Sequence, residues 1–141
     1  MNERDELARE AWSVIGELMF GSEQFDRVHD AAESVGLPHP GALKALLSID
    51  DDDPPSMRDV ARQLRCDASY VTGLVDALEG LGYVERRPHP SDRRVKLLAV
   101  TPAGRRARDQ ARAVLGTPPA ALSRLTDAEI TTLARLARKL R

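Results

Sequence analysis

The sequence predicts a mainly α-helical chain carrying one small β-hairpin. Three observations carry that expectation. Apolar residues recur at helical spacing through most of the 141 residues. Start signals of the S-x-x-D and T-x-x-E type precede two of the periodic stretches. One pair of β-prone runs, Tyr83–Arg87 and Arg93–Val100, flanks the turn-rich stretch from Pro88 to Asp92.

The first periodic stretch places Leu7, Ala11, Ile15, Leu18 and Met19 on one helical face, and Gly21 with Ser22 breaks or kinks it before a weaker helical segment. Pro40 suits the first turn of the next helix, whose stripe is Leu43, Leu46 and Leu47. Asp50–Asp53 could suggest a cation site, but no spaced set of further oxygen ligands accompanies them, so a solvated loop is expected. Ser56 and Asp59 then start a short helix with Met57, Val60, Ala61 and Leu64 on one face. After a turn at Arg65–Cys66, Asp67 caps a helix whose buried stripe is Val71, Leu74, Val75, Leu78 and Leu81, with Gly82 past its end. Ser69, Tyr70, Thr72 and Gly73 fall on the outward side of its first turns. Two short helices joined by a tight turn, the second polar at its N-terminal face, read as a helix-turn-helix, and the hairpin that follows reads as a wing. Thr101 caps a helix with Pro102 at its first position, and "GTPP" ends or bends it. Thr126 and Glu129 open the last helix, whose face is Ile130, Leu133, Leu136, Ala137 and Leu140.

A composition 42% hydrophobic and 30% charged belongs to a folded globular chain, and the length suits one domain with a real core. No apolar run reaches membrane-spanning length, the acidic N-terminus has no signal-peptide pattern, and Cys66 is the only cysteine, so the cytoplasm is the expected compartment. The net charge of −1 conceals a segregation. Residues 1–57 carry four basic against thirteen acidic side chains, whereas residues 58–112 carry twelve against seven and residues 113–141 five against two. A basic middle beside an acidic arm fits a nucleic-acid binder, or two regions that neutralise one another.

The hairpin concentrates that positive charge in Arg86, Arg87, Arg93, Arg94 and Lys96. Residues two apart on a strand share a side, so Asp92 reaches Arg94 and holds it in one orientation. A preset arginine at a hairpin tip suits the narrow minor groove of DNA, and Arg86, Arg87, Arg93 and Lys96 suit phosphates. The alternative is a solvated hairpin with an ordinary surface ion pair.

The stretch "MRDVARQLRCDASYVTGLVDALEGLGYVERRPHPSDRRVKLLAVTPAGR" resembles the winged helix-turn-helix of the MarR-type transcriptional regulators, most specifically in D-R-R-x-K-x-L-x-x-T-P-x-G. The resemblance implies a homodimer whose first and last helices interlock, recognition helices in successive major grooves of double-stranded DNA, wings in the flanking minor grooves, and repression relieved by a small aromatic or phenolic effector. It divides one compact domain into residues 1–37 for dimerisation and ligand, 38–101 as the DNA-binding lobe, and 102–141 completing the dimerisation region. Carried onto this chain, Asp67, Ser69, Tyr70, Thr72 and Gly73 form the recognition helix surface. Gly73 stands where many relatives carry a long base-reading side chain, and Leu43 where an aromatic residue is frequent. For dimerisation, Leu7, Ile15 and Leu18 offer a cover for Ile130, Leu133, Leu136 and Leu140. A pseudo-palindromic operator follows from the two-fold symmetry.

Competing functions have less to stand on. There is no G-x-S-x-G, glycine-rich phosphate loop or zinc-hydrolase pair, so no enzyme is expected. His29, His39 and His89 lack partners at ligand spacing, so neither a metal nor a cofactor is expected. Cys66 in the helix-turn-helix turn suits core packing better than redox sensing, and Trp12 suits dimer or pocket packing. A winged helix used only for protein contacts remains the other reading of the basic face.

Overall fold

The computed structural model describes residues 2–141. Its elements are α1 (Glu3–Phe20), α2 (Ser22–Ser34), α3 (Pro40–Ser48), α4 (Met57–Leu64), α5 (Ala68–Gly80), β1 (Val84–Pro88), β2 (Lys96–Val100), α6 (Pro102–Leu115), a 3₁₀ turn (Ala120–Arg124) and α7 (Asp127–Arg138). The mainly helical chain with one antiparallel hairpin is therefore the observed fold. Two compact units emerge, one of residues 2–24 with Thr117–Arg141 and one of Phe25–Gly116. No helix is long and apolar enough to cross a membrane among the described residues.

The core belongs to Phe25–Gly116. Leu43 and Leu46 of α3, Val60 of α4, Val71, Leu74, Val75 and Leu78 of α5, and Leu98 of β2 are all essentially inaccessible. Leu81 departs from its expected stripe. It is the C-cap of α5 and stays exposed, because the chain turns away there through Gly82 at φ +72°. The turn of the helix-turn-helix is a left-handed C-cap at Arg65, φ 53°, whose amide returns to the Ala61 and Arg62 carbonyls. Cys66 beside it is half-buried against the core, shallower than the sequence suggests.

The start signals form as expected. Ser56 and Asp59 make a reciprocal capping box on α4, and Thr126 and Glu129 make another on α7. Asp67 occupies the N-cap position of α5, but its side chain makes no capping hydrogen bond. Pairing runs from Val84↔Val100 to Pro88↔Lys96, so Arg93 and Arg94 lie in the loop rather than in β2. The sequence reading extended the strand too far. The Val95 amide donates to the Asp92 carbonyl at 3.0 Å, closing a turn across Arg93 and Arg94 that a continuous strand would not permit. The segment before α4 also joins the hairpin, through a Ser56↔Leu97 bridge and a Leu98 amide donated to the Pro55 carbonyl at 2.8 Å.

One junction connects α5, the hairpin and α6. The Thr101 hydroxyl donates to the Gly82 carbonyl at 2.5 Å and accepts the Gly104 amide at 3.0 Å, while the Thr101 amide donates to the Tyr83 carbonyl at 3.0 Å. Gly104 is buried against Tyr83, and a Cβ at this position would overlap the Tyr83 carbonyl oxygen and a Val100 methyl. The T-P-x-G run is thus a cap, a first-turn proline and a close backbone approach in four residues. The Tyr83 hydroxyl completes the junction by donating to the Val35 carbonyl at 2.7 Å.

The acidic loop is exposed at Asp50, Asp51, Asp52 and Asp53, as expected, although one of these acids is tied to α6. Asp51 accepts Arg108 at 2.7 Å, and Arg108 is buried on α6, with a second donation to the Ile49 carbonyl at 2.9 Å. Its place on the same face as Gly104, Ala107 and Ala111 is the sequence signal for this pair.

The unit of residues 2–24 and Thr117–Arg141 differs sharply, since no side chain of α1 or α7 is buried. Leu7, Ile15, Ile130, Leu133, Leu136 and Leu140 are exposed and Leu18 is half-buried, so these faces are not covered within the described residues. Trp12, expected in packing, is 69% exposed.

Two predictions concern these packing and capping contacts. Gly104→Ala should destabilise the fold by about 1–3 kcal/mol, the usual cost of overpacking a fixed backbone approach, as read by denaturant unfolding. Asp59 is held below its ordinary value of 3.8, chiefly by hydrogen bonds from Ser56. A carboxylate with a lowered folded pKa stabilises the fold above its unfolded pKa, and that stabilisation is lost as pH falls through the folded value. Asp59→Asn should therefore lower the melting temperature at pH 7, and the gap to wild type should close in titrations below about pH 4.

Candidate nucleic-acid interface

Helix α5 and the hairpin tip each expose a polar surface. Asp67, Ser69, Thr72 and Gly73 are exposed on α5. The Thr72 hydroxyl donates to the Ala68 carbonyl at 3.0 Å, which occupies its proton within the helix. Gly73 has open space in front of it, so a side chain there would meet nothing within 4 Å. Tyr70 is half exposed and leans toward α3. Its ring stacks on His39 with centroids 6.3 Å apart, and its hydroxyl crowds Gly41. His39 in turn caps α3, accepting the Gly41 amide at 3.1 Å on Nδ1. Tyr70 is thereby fixed at the edge of the α5 surface.

The five cations of the hairpin separate into distinct groups. Arg93 and Lys96 are exposed and form no ion pair among the described residues. Arg94 points outward with 91% of its side chain exposed, yet it is held at its base by Asp92. Asp92 accepts the Arg94 amide at 3.1 Å, Nε at 3.1 Å and Nη2 at 3.2 Å, so backbone and side chain are fixed together. The pairing expected from the sequence forms, but as a turn closure rather than by strand alternation. Those hydrogen bonds hold the Asp92 carboxyl below the usual aspartate value. Arg87 pairs with Glu85 on its own strand. Arg86 turns away from the tip altogether and contacts two acids of α5, Asp76 at 2.6 Å and Glu79 at 2.7 Å.

A cleft of about 450 Å³ lies between the first turn of α4 and the hairpin, lined by Ser56, Met57, Arg58, Arg94, Val95 and Lys96. Its charged lining is entirely cationic. Asp53, Asp59, Asp92 and His89 line a separate cleft nearby. Arg58 is the residue that sequence reading missed. A cation in the first turn of a helix opposes the helix dipole, and that local misfit was the available signal for an external anion. The cationic cleft suits a phosphate, because two long flexible side chains and one preset guanidinium converge on it.

Three comparisons place this arrangement among known proteins. Residues 40–96 match the MarR family. Over 109 residues the chain is 30% identical to YcgE, an uncharacterized HTH-type transcriptional regulator of Bacillus subtilis (strain 168), spanning 77% of this chain and 69% of that protein. Among solved structures, the YusO protein of Bacillus subtilis superposes with a TM-score of 0.72 at 24% identity, covering 99% of this chain and 97% of that one. CouR of Rhodococcus jostii RHA1, bound to p-coumaroyl-CoA, gives a TM-score of 0.60 at 27% identity, covering 85% and 84%.

The Asp92–Arg94 geometry makes a signed prediction for binding to an operator duplex. Removing an acid beside phosphates should by charge alone tighten binding, whereas freeing Arg94 should weaken it. Asp92→Ala is expected to weaken operator binding, Arg94→Ala to weaken it further, and the double variant to lose less than the sum. Titrations at several salt concentrations read the result; tighter binding by Asp92→Ala would reduce the pair to an ordinary surface contact.

Proposed function

The chain belongs to the MarR family and is a DNA-binding transcriptional regulator, and from that premise we propose that it acts in the cytoplasm as a homodimeric, ligand-relieved repressor of a pseudo-palindromic operator. The observation that carries the DNA contact is the convergence of Arg58, Lys96 and the Asp92-held Arg94 on one cleft between α4 and the hairpin, in a chain whose α5 exposes its polar first turns. In this reading Ser69, Tyr70, Thr72 and Gly73 enter the major groove, with Asp67 at the helix start. Arg94 enters the minor groove, while Arg58, Arg93 and Lys96 meet phosphates. A small polar reading surface on α5 leaves much of the specificity to groove shape and to water.

The apolar faces of α1 and α7 support a dimer. Nine large apolar side chains on these two helices are exposed in one protomer, and a groove of about 350 Å³ on α7 is lined by Leu125, Ala128, Leu133 and Leu136. A second copy covering both helices would remove that surface from water at roughly 25 cal/mol per Å². A small aromatic or phenolic effector is the ligand class proposed, and the p-coumaroyl-CoA bound to CouR supports it by analogy alone.

Selection of a tight-binding site from a randomised duplex pool, followed by footprinting, tests this function. The expected footprint is two-fold symmetric, with half-site centres roughly 34–36 Å apart, one helical turn. Aromatic acids and phenols should release the protein from that site. An asymmetric footprint by a monomer would refute the dimer, and failure to bind any duplex at low salt would leave a protein-contact module as the better account.

A further inference from the structure

Arg86 was expected among the phosphate contacts, and its surroundings argue otherwise. Its side chain is only 25% exposed, against 91% for Arg94. Nη2 donates to Asp76 at 2.6 Å and Nη1 to Glu79 at 2.7 Å, so both arms of the guanidinium are engaged. The Asp76 hydrogen bond is the main reason its pKa rises above the ordinary arginine value. One positive charge set against two carboxylates leaves the cluster net negative. Such a cluster repels a phosphate rather than attracting one.

The same contacts join two elements that must act together. Asp76 and Glu79 lie three apart on α5 and therefore share a helical face. Arg86 lies in the middle of β1, opposite Leu98. The backbone link between α5 and β1 is short, passes through Gly82 at positive φ, and is closed at its base by the Gly82 and Tyr83 amides donating to the Glu79 and Leu78 carbonyls at 2.9 Å. A planar fork reaching across that link adds a side-chain tie from the outward face of α5 to the middle of β1, farther along the wing than the Thr101 contacts.

We propose that Arg86 is a positioning residue whose guanidinium, held between Asp76 and Glu79, sets the angle at which the wing leaves the recognition helix and so lets both meet one duplex together. The inference rests on the DNA-binding reading above. It also gives the acids of α5 a role that charge alone would not, since two carboxylates near DNA should otherwise only weaken binding.

The test uses the full chain and an operator selected from random duplex by the wild-type protein. Asp76→Asn combined with Glu79→Gln removes two negative charges and should still reduce operator affinity, by about tenfold (a 1.4 kcal/mol change). Binding to unrelated duplex should hold or rise. Arg86→Lys keeps the charge but cannot serve both carboxylates in the same geometry, and it should lose operator affinity comparably. Arg86→Met should leave the slope of log affinity against log salt unchanged on unrelated duplex, where loss of a phosphate contact would lower it by about 0.9. Tighter operator binding by the acid variant, wild-type behaviour of Arg86→Lys, or a reduced slope for Arg86→Met would each overturn the proposal. Asp76 and Glu79 are largely exposed, so their variants test the idea even if an Arg86 variant fails to fold. If the wild type selects no sequence, the regulatory reading fails by itself. The strut is then judged by hydrogen exchange of the hairpin amides, which should lose protection in the acid variant and would count against the strut if unchanged.

Discussion

The hydroxyl of Thr101 donates to the Gly82 carbonyl while accepting the Gly104 amide, and the junction of α5, the hairpin and α6 is built on that double contact. Gly82 ends the recognition helix, Thr101 ends the wing, and Gly104 begins α6. Holding the three at one point makes the hairpin an extension of α5 rather than a loose loop. The close approach of Gly104 to the Tyr83 carbonyl leaves no room for relaxation, because backbone atoms cannot change rotamer. A second attachment, from Pro55 and Ser56 to β2, ties the start of α4 to the same hairpin. Both helices of the helix-turn-helix are thus referred to one short ribbon. A two-stranded ribbon has little stability by itself, and these attachments supply the rest.

Charge is distributed on that frame by function rather than by composition. Arg108 is buried and donates through Nη1 to the Ile49 carbonyl and through Nη2 to Asp51, so it ties a loop to α6. Arg87 is neutralised on its own strand, and Arg86 is committed to α5. What remains around the cationic cleft is a small set of bases, Arg58 and Lys96 with Arg94 preset by Asp92. Counting arginines in the hairpin therefore overstates the number available to phosphates, and the salt dependence of binding should reflect the smaller set.

The helices at the two ends of the chain follow a different rule. The unit of residues 2–24 and Thr117–Arg141 has good caps and regular helices, yet none of the side chains of α1 or α7 is buried. Helices of that kind take most of their stability from packing an apolar face. The exposed faces of α1 and α7 leave that packing unfilled within the described residues.

Much of this was legible in the sequence because it depends on neighbours. Capping boxes at Ser56–Asp59 and Thr126–Glu129, the Thr101–Pro102 start, and the apolar stripes of α3, α4 and α5 are all set within one or two helical turns, where period and cap chemistry act directly. The helix-turn-helix, the wing and the Asp92–Arg94 pair could be read for the same reason. The ends of β2, the exposure of Leu81, the partners of Arg86 and Arg108, and the place of Arg58 beside the wing could not. Each depends on which distant atoms folding brings within hydrogen-bonding range: Arg86 meets Asp76 ten residues away, and Arg108 meets Asp51 fifty-seven residues away. A side chain's type fixes what it can bond, but only the tertiary structure decided whether an arginine faces a carboxylate of its own chain or remains free for an external anion.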